Sequence, residues 1–406
     1  MSIELAQTLA IRVLEAVLDQ GASADGALRQ LFSQRNSGST ERARVGDLLF
    51  HALRHLRRLE SPEGTDPLPA SPNRVTALIA RAAEDLASPP SHCDPPSLPA
   101  ALCCSLPDWL WSALVEQWGE EQALLLGLAL NRPAATDLRV NRARIDRESL
   151  IGRLADAGIV ATPLEGTPDG LRLTGHPPVT TLELFHDGLF EIQDQGSQWI
   201  APLLGVRPGD TVVDLCAGGG GKTLHLAALM QNQGRILATD TDGRRLNRLT
   251  QRTRRTRANL VRVQTLRHER DPWFKALVGK IDAVLVDAPC SGTGTIRRRP
   301  EIKWQLTPAQ VAMLADRQSA LLNAAAALLK PGGRLVYATC SLLHQENQAV
   351  VDQFIHENQF FRRLPAMSAL AAQGYAGVYF QHQDLVILPH VAGCDGFFAA
   401  LLQRNR

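Results

Sequence analysis

With 406 residues, 45% hydrophobic, 21% charged and 5% aromatic, the chain has an ordinary globular composition and room for two or three domains. A net charge of +2 is too small to argue for a polyanionic partner, so any basic surface has to show as local clustering. Seven scattered cysteines do not read as a disulfide framework and fit a reduced, cytoplasmic setting. No apolar run is long enough to span a bilayer, and Met1-Ser2-Ile3-Glu4 opens no signal peptide, so no membrane partner is expected.

Residues 3–20 place Leu5, Leu9, Val13, Leu14 and Val17 at helical spacing. Further helices are predicted over Ala27–Phe32, Glu41–Leu56, Val75–Leu86, Asp108–Trp118 and Glu120–Leu130, with Pro/Ser-rich connectors at 61–73 and 88–99. Residues 1–130 therefore read as an all-helical domain. Arg42, Arg44, Arg54, Arg57 and Arg58, on or just after the third helix, read either as a solvated face or as an RNA-facing patch. Cys93, Cys103 and Cys104 lack zinc-ligand spacing.

Asn131-Arg132-Pro133 marks a boundary where the period changes. Strands are predicted at Asp137–Asn141, Val160–Pro163, Gly170–Thr174 and Leu182–Ile192, with a helix over Arg147–Ala157 and a bridging helix over 193–205. Residues 131–205 thus form a small α+β domain. From Asp210 strands and helices alternate. The strands are Thr211–Cys216, Arg235–Asp240, Leu260–Thr265, Ile281–Asp287 and Arg334–Thr339; the helices are Thr223–Gln233, Arg244–Arg257, Pro308–Leu329 and Gln345–Glu357. This is a doubly wound α/β pattern over residues 206–406. Its closing hairpin, Asp384–Pro389 and Gly396–Leu402, favours a mixed sheet over a purely parallel one.

The chemistry centres on Val212–Thr223, VVDLCAGGGGKT, a buried strand, a glycine loop and a helix start. Such a loop lets a ligand approach backbone closely and aims free N–H groups at it. A phosphate-binding loop would need glycine at position 216, where Cys216 stands, which argues against a nucleotide triphosphatase. A dinucleotide or S-adenosylmethionine remains. Asp240, ending the next strand, is placed to accept ribose hydroxyls, or else to cap the following helix. Asp287-Ala288-Pro289-Cys290 and Tyr337-Ala338-Thr339-Cys340 both fall at strand ends, so Cys216, Asp287, Cys290 and Cys340 are predicted on one rim. No C-x-x-C pair or histidine spacing supports a metal, and none is expected.

The set DLCAGGGGKT, DAPCSGTGTIRRRPEIKW and YATCSLLHQEN resembles the Sun (Fmu) family of RNA cytosine-C5 methyltransferases, from about Arg132 to the GCDGFFAALL tail. The helical N-terminal part looks like the NusB-like RNA-binding domain of the small-subunit rRNA enzymes of RsmB type. The resemblance implies a Rossmann-like methyltransferase domain preceded by an RRM-like α+β domain. It implies S-adenosylmethionine on Cys216, Ala217, Gly218, Gly219, Gly220, Gly221, Lys222, Asp240 and Asp287. It also implies Cys340 as the nucleophile that adds to C6 of cytosine, Asp287 on the N3/N4 edge of the base, and Cys290 as the residue that assists product release. Arg297, Arg298, Arg299 and Lys303, directly after the Asp287–Gly294 loop, are then expected to meet RNA phosphates, with arginines of 244–257 and 262–270 as a second cluster. Two positions depart from the family pattern: Gly218-Gly219 stand where Ala-Pro is usual, and no acid follows the third strand directly, with only Glu269 or Asp271 nearby. Small-subunit (16S) rRNA is the expected substrate and the protein is expected to be a monomer. The alternatives are a tRNA cytosine-C5 methyltransferase and a catalytically silent ribosome-assembly factor that binds RNA.

Overall fold

The computed structural model describes residues 3–35, 37–60, 72–87, 99–268, 271–376 and 380–405. Most of the two Pro/Ser-rich connectors, Cys93, Glu269 and Arg270 lie outside the described residues. Contacts divide the chain into two compact units. One comprises Met1–Pro133 together with Gly292–Gln310, and the other Ala134–Ser291 together with Val311–Arg406. The division differs from the three consecutive domains expected. Residues 292–310 join the helical unit, and the small α+β domain clusters with the α/β domain.

Among its described residues the first unit contains helices and connecting turns but no strand, with its main helices at Ile3–Gln20, Ala24–Ser33, Ser39–Glu60, Pro72–Ala87, Asp108–Trp118 and Glu120–Leu130. Leu9, Leu14, Val17, Leu49, Leu53, Leu56 and Ile79 are fully or almost fully buried and form its core. Each such side chain contributes roughly 1.5–3 kcal/mol on burial. The second helix starts at Ala24, earlier than its apolar period suggests, because the Ser23 hydroxyl accepts the Gly26 N–H at 3.2 Å. Gly119, at φ +77°, separates the last two helices in a conformation that other residues resist. The third helix runs on to Glu60, and Arg57 on it is buried, donating to the Leu106 carbonyl and pairing with Asp108 at 2.7 Å. Arg57 is therefore neither solvated nor free to meet RNA, whereas Arg42 and Arg44 are exposed.

The second unit contains two sheets. Strands β1 (Asp137–Val140), β2 (Ala161–Pro163), β3 (Gly170–Leu173) and β4 (Phe190–Ile192) form an antiparallel sheet in the order β2-β3-β1-β4. The helix Arg147–Asp156, capped by Asp146, packs on it through Leu150 and Leu154. The expected strand over 182–192 is only partly strand. Leu184 and Phe185 meet the core on a single helical turn, Glu183–His186, before β4 begins, and the extended Leu182 just ahead of it packs there too. The bridging helix is two short turns, Gln195–Gln198 and Ile200–Leu203.

The larger sheet holds β5 (Thr211–Asp214), β6 (Arg235–Asp240), β7 (Val261–Thr265), β8 (Ile281–Asp287), β9 (Leu329–Thr339), β10 (Phe361–Leu364), β11 (Phe380–Gln381), β12 (Asp384–Ile387) and β13 (Phe397–Arg404). Its order is β11-β12-β13-β9-β8-β5-β6-β7, with β10 on β13. Strands β5 to β9 pair in parallel, and β10 to β13 pair antiparallel, so the sheet is mixed. The inner parallel strands β5, β6 and β8 are largely apolar and buried, as a sheet covered on both faces requires, whereas the edge strand β7 is mostly exposed. The helix after β5 spans Gly221–Leu229 and stops short of the predicted Gln233, because Gln231 and Asn232 turn to positive φ. Strand β9 starts five residues before the predicted Arg334, through a register shift opposite Ile281 and Ala283. The chain order reverses at β5, which has β6 on one side and β8 on the other. That switch point is where open α/β sheets leave a ligand crevice.

Candidate active site

The glycine loop leaves β5 at the switch point. Its turn closes through Gly220 N–H to the Ala217 carbonyl at 2.8 Å, and Ala217 N–H reaches the Thr239 carbonyl of β6 at 2.9 Å. Gly220 sits at φ +84°, where a Cβ would lie 2.1 Å from Leu249 Cδ1, so both the turn and the packing require glycine. A Cβ on Gly218 would meet nothing within 4 Å, so the loop's outer side is open. Asp240 accepts Gly218 N–H at 2.9 Å with one oxygen and Asp242 N–H at 2.8 Å with the other. The helix Gly243–Thr256 is capped by Asp242, not Asp240. A carboxylate offers about four lone-pair sites, so Asp240 retains acceptor capacity for a diol. Beyond it a shallow hollow of about 580 Å³ is lined by Thr241, Asp242, Gly243, Arg244, Asn247 and Thr265. Asp271, the described one of the two acids named near the third strand, is used locally, accepting Arg267 and Trp273 N–H groups at 2.9 Å.

The two cysteine loops converge on the same rim. Asp287 ends β8, Thr339 ends β9, and Cys290 Sγ lies 3.4 Å from Cys340 Sγ. Lys222, in the first turn after the glycine loop, donates to Asp287 at 2.8 Å and stands 5.3 Å from the centre of the Phe397 ring. Burial works against the Lys222 charge, but Asp287 outweighs it and holds its pKa up; Cys340 lies within the same electrostatic reach. The structure thus brings together Cys216, Ala217, Gly218 to Gly221, Lys222, Asp240, Asp287, Cys290 and Cys340.

The site is acidic. Asp214, fully buried at the end of β5, has its pKa pushed up to about 7, first by burial and then by the charges of Asp287 and Asp240, against its hydrogen bond from Thr223. Its other oxygen is buried without a partner among the described residues. Burial and the same three carboxylates push the Cys216 thiol well up, so Cys216 is not poised as a thiolate. This field suits a ligand with positive charge and hydroxyl donors better than a phosphate.

Sequence reasoning missed the residue that ties the two cysteine loops together. Glu346 is fully buried; it accepts the Ser291 N–H at 2.8 Å, Gln318 Nε2 at 3.0 Å, and the hydroxyls of Ser291 and Ser341 at 2.5 Å. Ser291 follows Cys290 and Ser341 follows Cys340, so one carboxylate fixes the neighbours of both thiols. Asn347 adds Nδ2 to the Ser341 carbonyl at 2.9 Å. The adjacent pair Glu-Asn, five residues after Ser341, is the trace this arrangement leaves in the sequence.

The expected phosphate contacts are corrected in part. Lys303 is 1% exposed, and its ammonium donates to the carbonyls of Arg54 and Ser105 at 3.0 and 3.1 Å and to Asn131 Oδ1. Arg297 is also buried, donating to the carbonyls of Arg132 and Pro133. Both are satisfied inside the helical unit and present no charge to a ligand. Arg298 is half-buried, and Arg299 is exposed beside Glu301.

A glycine loop at the switch point of such a sheet, with an acid ending the next strand, is a Rossmann-like cofactor-binding arrangement, and the family match below makes it that of a methyltransferase. The family described as 16S rRNA methyltransferase RsmB/F matches residues 201–403. The ferredoxin-like domain of RsmF/B-type methyltransferases matches residues 106–180. The chain is 38% identical over 304 residues to the probable ribosomal RNA small subunit methyltransferase B of Synechocystis sp., covering 74% of this chain and 67% of that one. It is 34% identical over 301 residues to ribosomal RNA small subunit methyltransferase B of Pasteurella multocida, covering 73% of this chain and 65% of that one. The crystal structure of PH0851 superposes with a TM-score of 0.80 at 26% identity, covering 98% of each chain. The chain belongs to the RsmB/F family of 16S rRNA methyltransferases, and its matched part spans about two thirds of the length of these two sequence relatives.

Proposed function

We propose that this chain is an S-adenosylmethionine-dependent RNA (cytosine-C5) methyltransferase acting on small-subunit ribosomal RNA, with its helical unit as a NusB-like RNA-binding module. The observation that carries the reading is the pair of thiols 3.4 Å apart beside the Lys222–Asp287 ion pair, on the rim that also carries the glycine loop. The acidic loop, the acceptor capacity of Asp240 and the open outer side of Gly218 fit S-adenosylmethionine, which is cationic and carries a ribose diol. When bound, that cofactor supplies an electrophilic methyl group on a sulfonium.

C5 of cytosine is too weak a nucleophile to accept a methyl group unaided. The Cys340 thiolate adds to C6, breaking the C5=C6 π bond and making C5 electron-rich. Asp287 holds the N3/N4 edge of the base, and the Lys222 ammonium is the positive charge that the thiolate faces. After methylation Cys290 takes the proton from C5; the freed electron pair restores C5=C6 and expels Cys340 as thiolate. The base has to leave its stack to reach Cys340.

Two variants test this reading. With S-adenosylmethionine and 16S rRNA, Cys290→Ala is expected to accumulate a covalent RNA–protein adduct on a denaturing gel, and Cys340→Ala to form none. If neither variant changes the adduct band, the two-thiol mechanism is wrong. Mapping 5-methylcytosine in rRNA and tRNA of a deletion strain decides between the two RNA classes, and the loss of no 5-methylcytosine in either would favour the silent assembly factor.

A further inference from the structure

Four consecutive glycines, Gly218 to Gly221, make a loop that is expensive to order, since glycine loses more backbone freedom than any other residue. The loop's own bonds fix only part of it. Two of its carbonyls are held from outside by arginines: Arg252 Nη1 donates to the Gly219 carbonyl, and Arg139 Nη1 to the Gly221 carbonyl at 2.8 Å. A trans peptide is planar, with N–H opposite C=O. Pinning the Gly219 carbonyl therefore fixes the Gly220 N–H, and pinning the Gly221 carbonyl fixes the Lys222 N–H.

Both arginines are anchored in the small antiparallel sheet. Glu191, on β4 and 2% exposed, accepts Arg252 Nη2 at 2.6 Å and also Arg255. Arg139, on β1 and equally buried, donates its Nη1 to Gln193 as well. A buried carboxylate shared by two guanidiniums is a costly arrangement unless every bond is made. Here the bonds end on the glycine loop. A Cβ on Gly219 would lie 3.4 Å from Arg252 Nη1, in ordinary contact with the guanidinium, so the arginine packs directly against this part of the loop.

We infer that Arg252 and Arg139, anchored by Glu191 and Gln193, are positioning residues that hold the glycine loop in its cofactor-binding shape. The small α+β domain thereby braces the cofactor site. The inference deepens the methyltransferase reading and rests on it for the identity of the cofactor.

The test combines hydrogen exchange of the free full-length protein with calorimetric titration of S-adenosylmethionine. Arg252→Ala leaves Glu191 paired with Arg255, so no buried charge is orphaned. It is expected to speed exchange at residues 217–222 and to weaken cofactor binding about tenfold, the scale of one charge-assisted hydrogen bond. The KM for RNA and the kcat at saturating cofactor should stay at wild-type values, which a general loss of structure would not allow. Arg252→Lys should recover part of the affinity. Gly219→Ala added to Arg252→Ala should recover about two- to fivefold, because it stiffens the loop where the guanidinium has gone. Wild-type exchange and affinity in Arg252→Ala, or an equal rise in the KM for RNA, would overturn the inference. If the wild-type protein binds no S-adenosylmethionine, the methyltransferase reading fails instead, and the exchange rates alone still decide whether the arginines order the loop.

Discussion

At the scale of single residues, Asp214 shows how the site's acidity feeds back on stability. Burial and two neighbouring carboxylates raise its pKa to about 7, while in the unfolded chain it returns to its ordinary 3.8. Between those values the folded protein keeps a proton that the unfolded chain has lost. The stabilisation is therefore complete below about pH 4 and declines by about 1.4 kcal/mol per pH unit as pH rises toward 7. Other groups titrate in the same window, so the informative quantity is a difference. Urea unfolding at about pH 5 and about pH 7 should show the wild type losing about 2–3 kcal/mol more than Asp214→Asn. Equal losses would mean that Asp214 is ionised in the folded state. Asp214 was readable as the end of a buried strand; that its carboxyl stands among three other site groups was not.

At the scale of elements, the segment Gly292–Gln310 carries the clearest revision. Its cluster of arginines and a lysine beside a cysteine loop reads as a phosphate-contacting surface. Instead the short helix Ile302–Gln305 is pinned in the helical unit by three side chains. Lys303 donates to the carbonyls of Arg54 and Ser105, Trp304 Nε1 to Leu53 at 2.8 Å, and Gln305 to Val17 and Ala22 at 2.9 and 3.0 Å. Burial lowers the Lys303 pKa to about 7, yet three of its neighbours are acceptors that only a donor satisfies. Lys303→Met leaves those acceptors buried and unpaired, and should cost the protein about 2–4 kcal/mol in thermal or urea unfolding. The salt dependence of RNA binding should not change. A flattened salt dependence with unchanged stability would return Lys303 to the phosphate-contacting role.

At the scale of the whole molecule, a net charge of +2 conceals an uneven distribution. No acidic residue occurs from Gly243 to His268, whereas Arg244, Arg245, Arg248, Arg254, Arg257, Arg262 and Arg267 in that span are all exposed. The stretch from the helix Gly243–Thr256 through the edge strand β7 to Arg267 thus presents seven exposed arginines and no carboxylate, and RNA phosphates are expected there. Replacing Arg248, Arg254 and Arg262 together by Gln should flatten the slope of log K against log salt by roughly two, at about 0.7 per lost phosphate contact on single-stranded RNA. Filter binding over a range of potassium concentrations measures this. An unchanged slope would place the RNA elsewhere.

Local sequence alone determined what depends on local geometry. The apolar runs of β6 and β8 were legible to the residue, because a buried parallel strand is a continuous apolar stretch ending at a polar one. The mixed sheet followed from a closing hairpin. The shared rim of Asp287, Cys290 and Cys340 followed from the rule that ligands gather at the carboxyl ends of such strands. Only the tertiary structure decided which charged groups are surface and which are pins. Arg297 and Arg299 are two residues apart, yet one is buried against carbonyls more than 160 positions away and the other faces solvent. Glu346, Glu191 and Arg252 are likewise defined by partners distant in the chain. A residue's type fixes what it is able to bond; where that bond ends is set by packing, and packing is not written in the neighbouring residues.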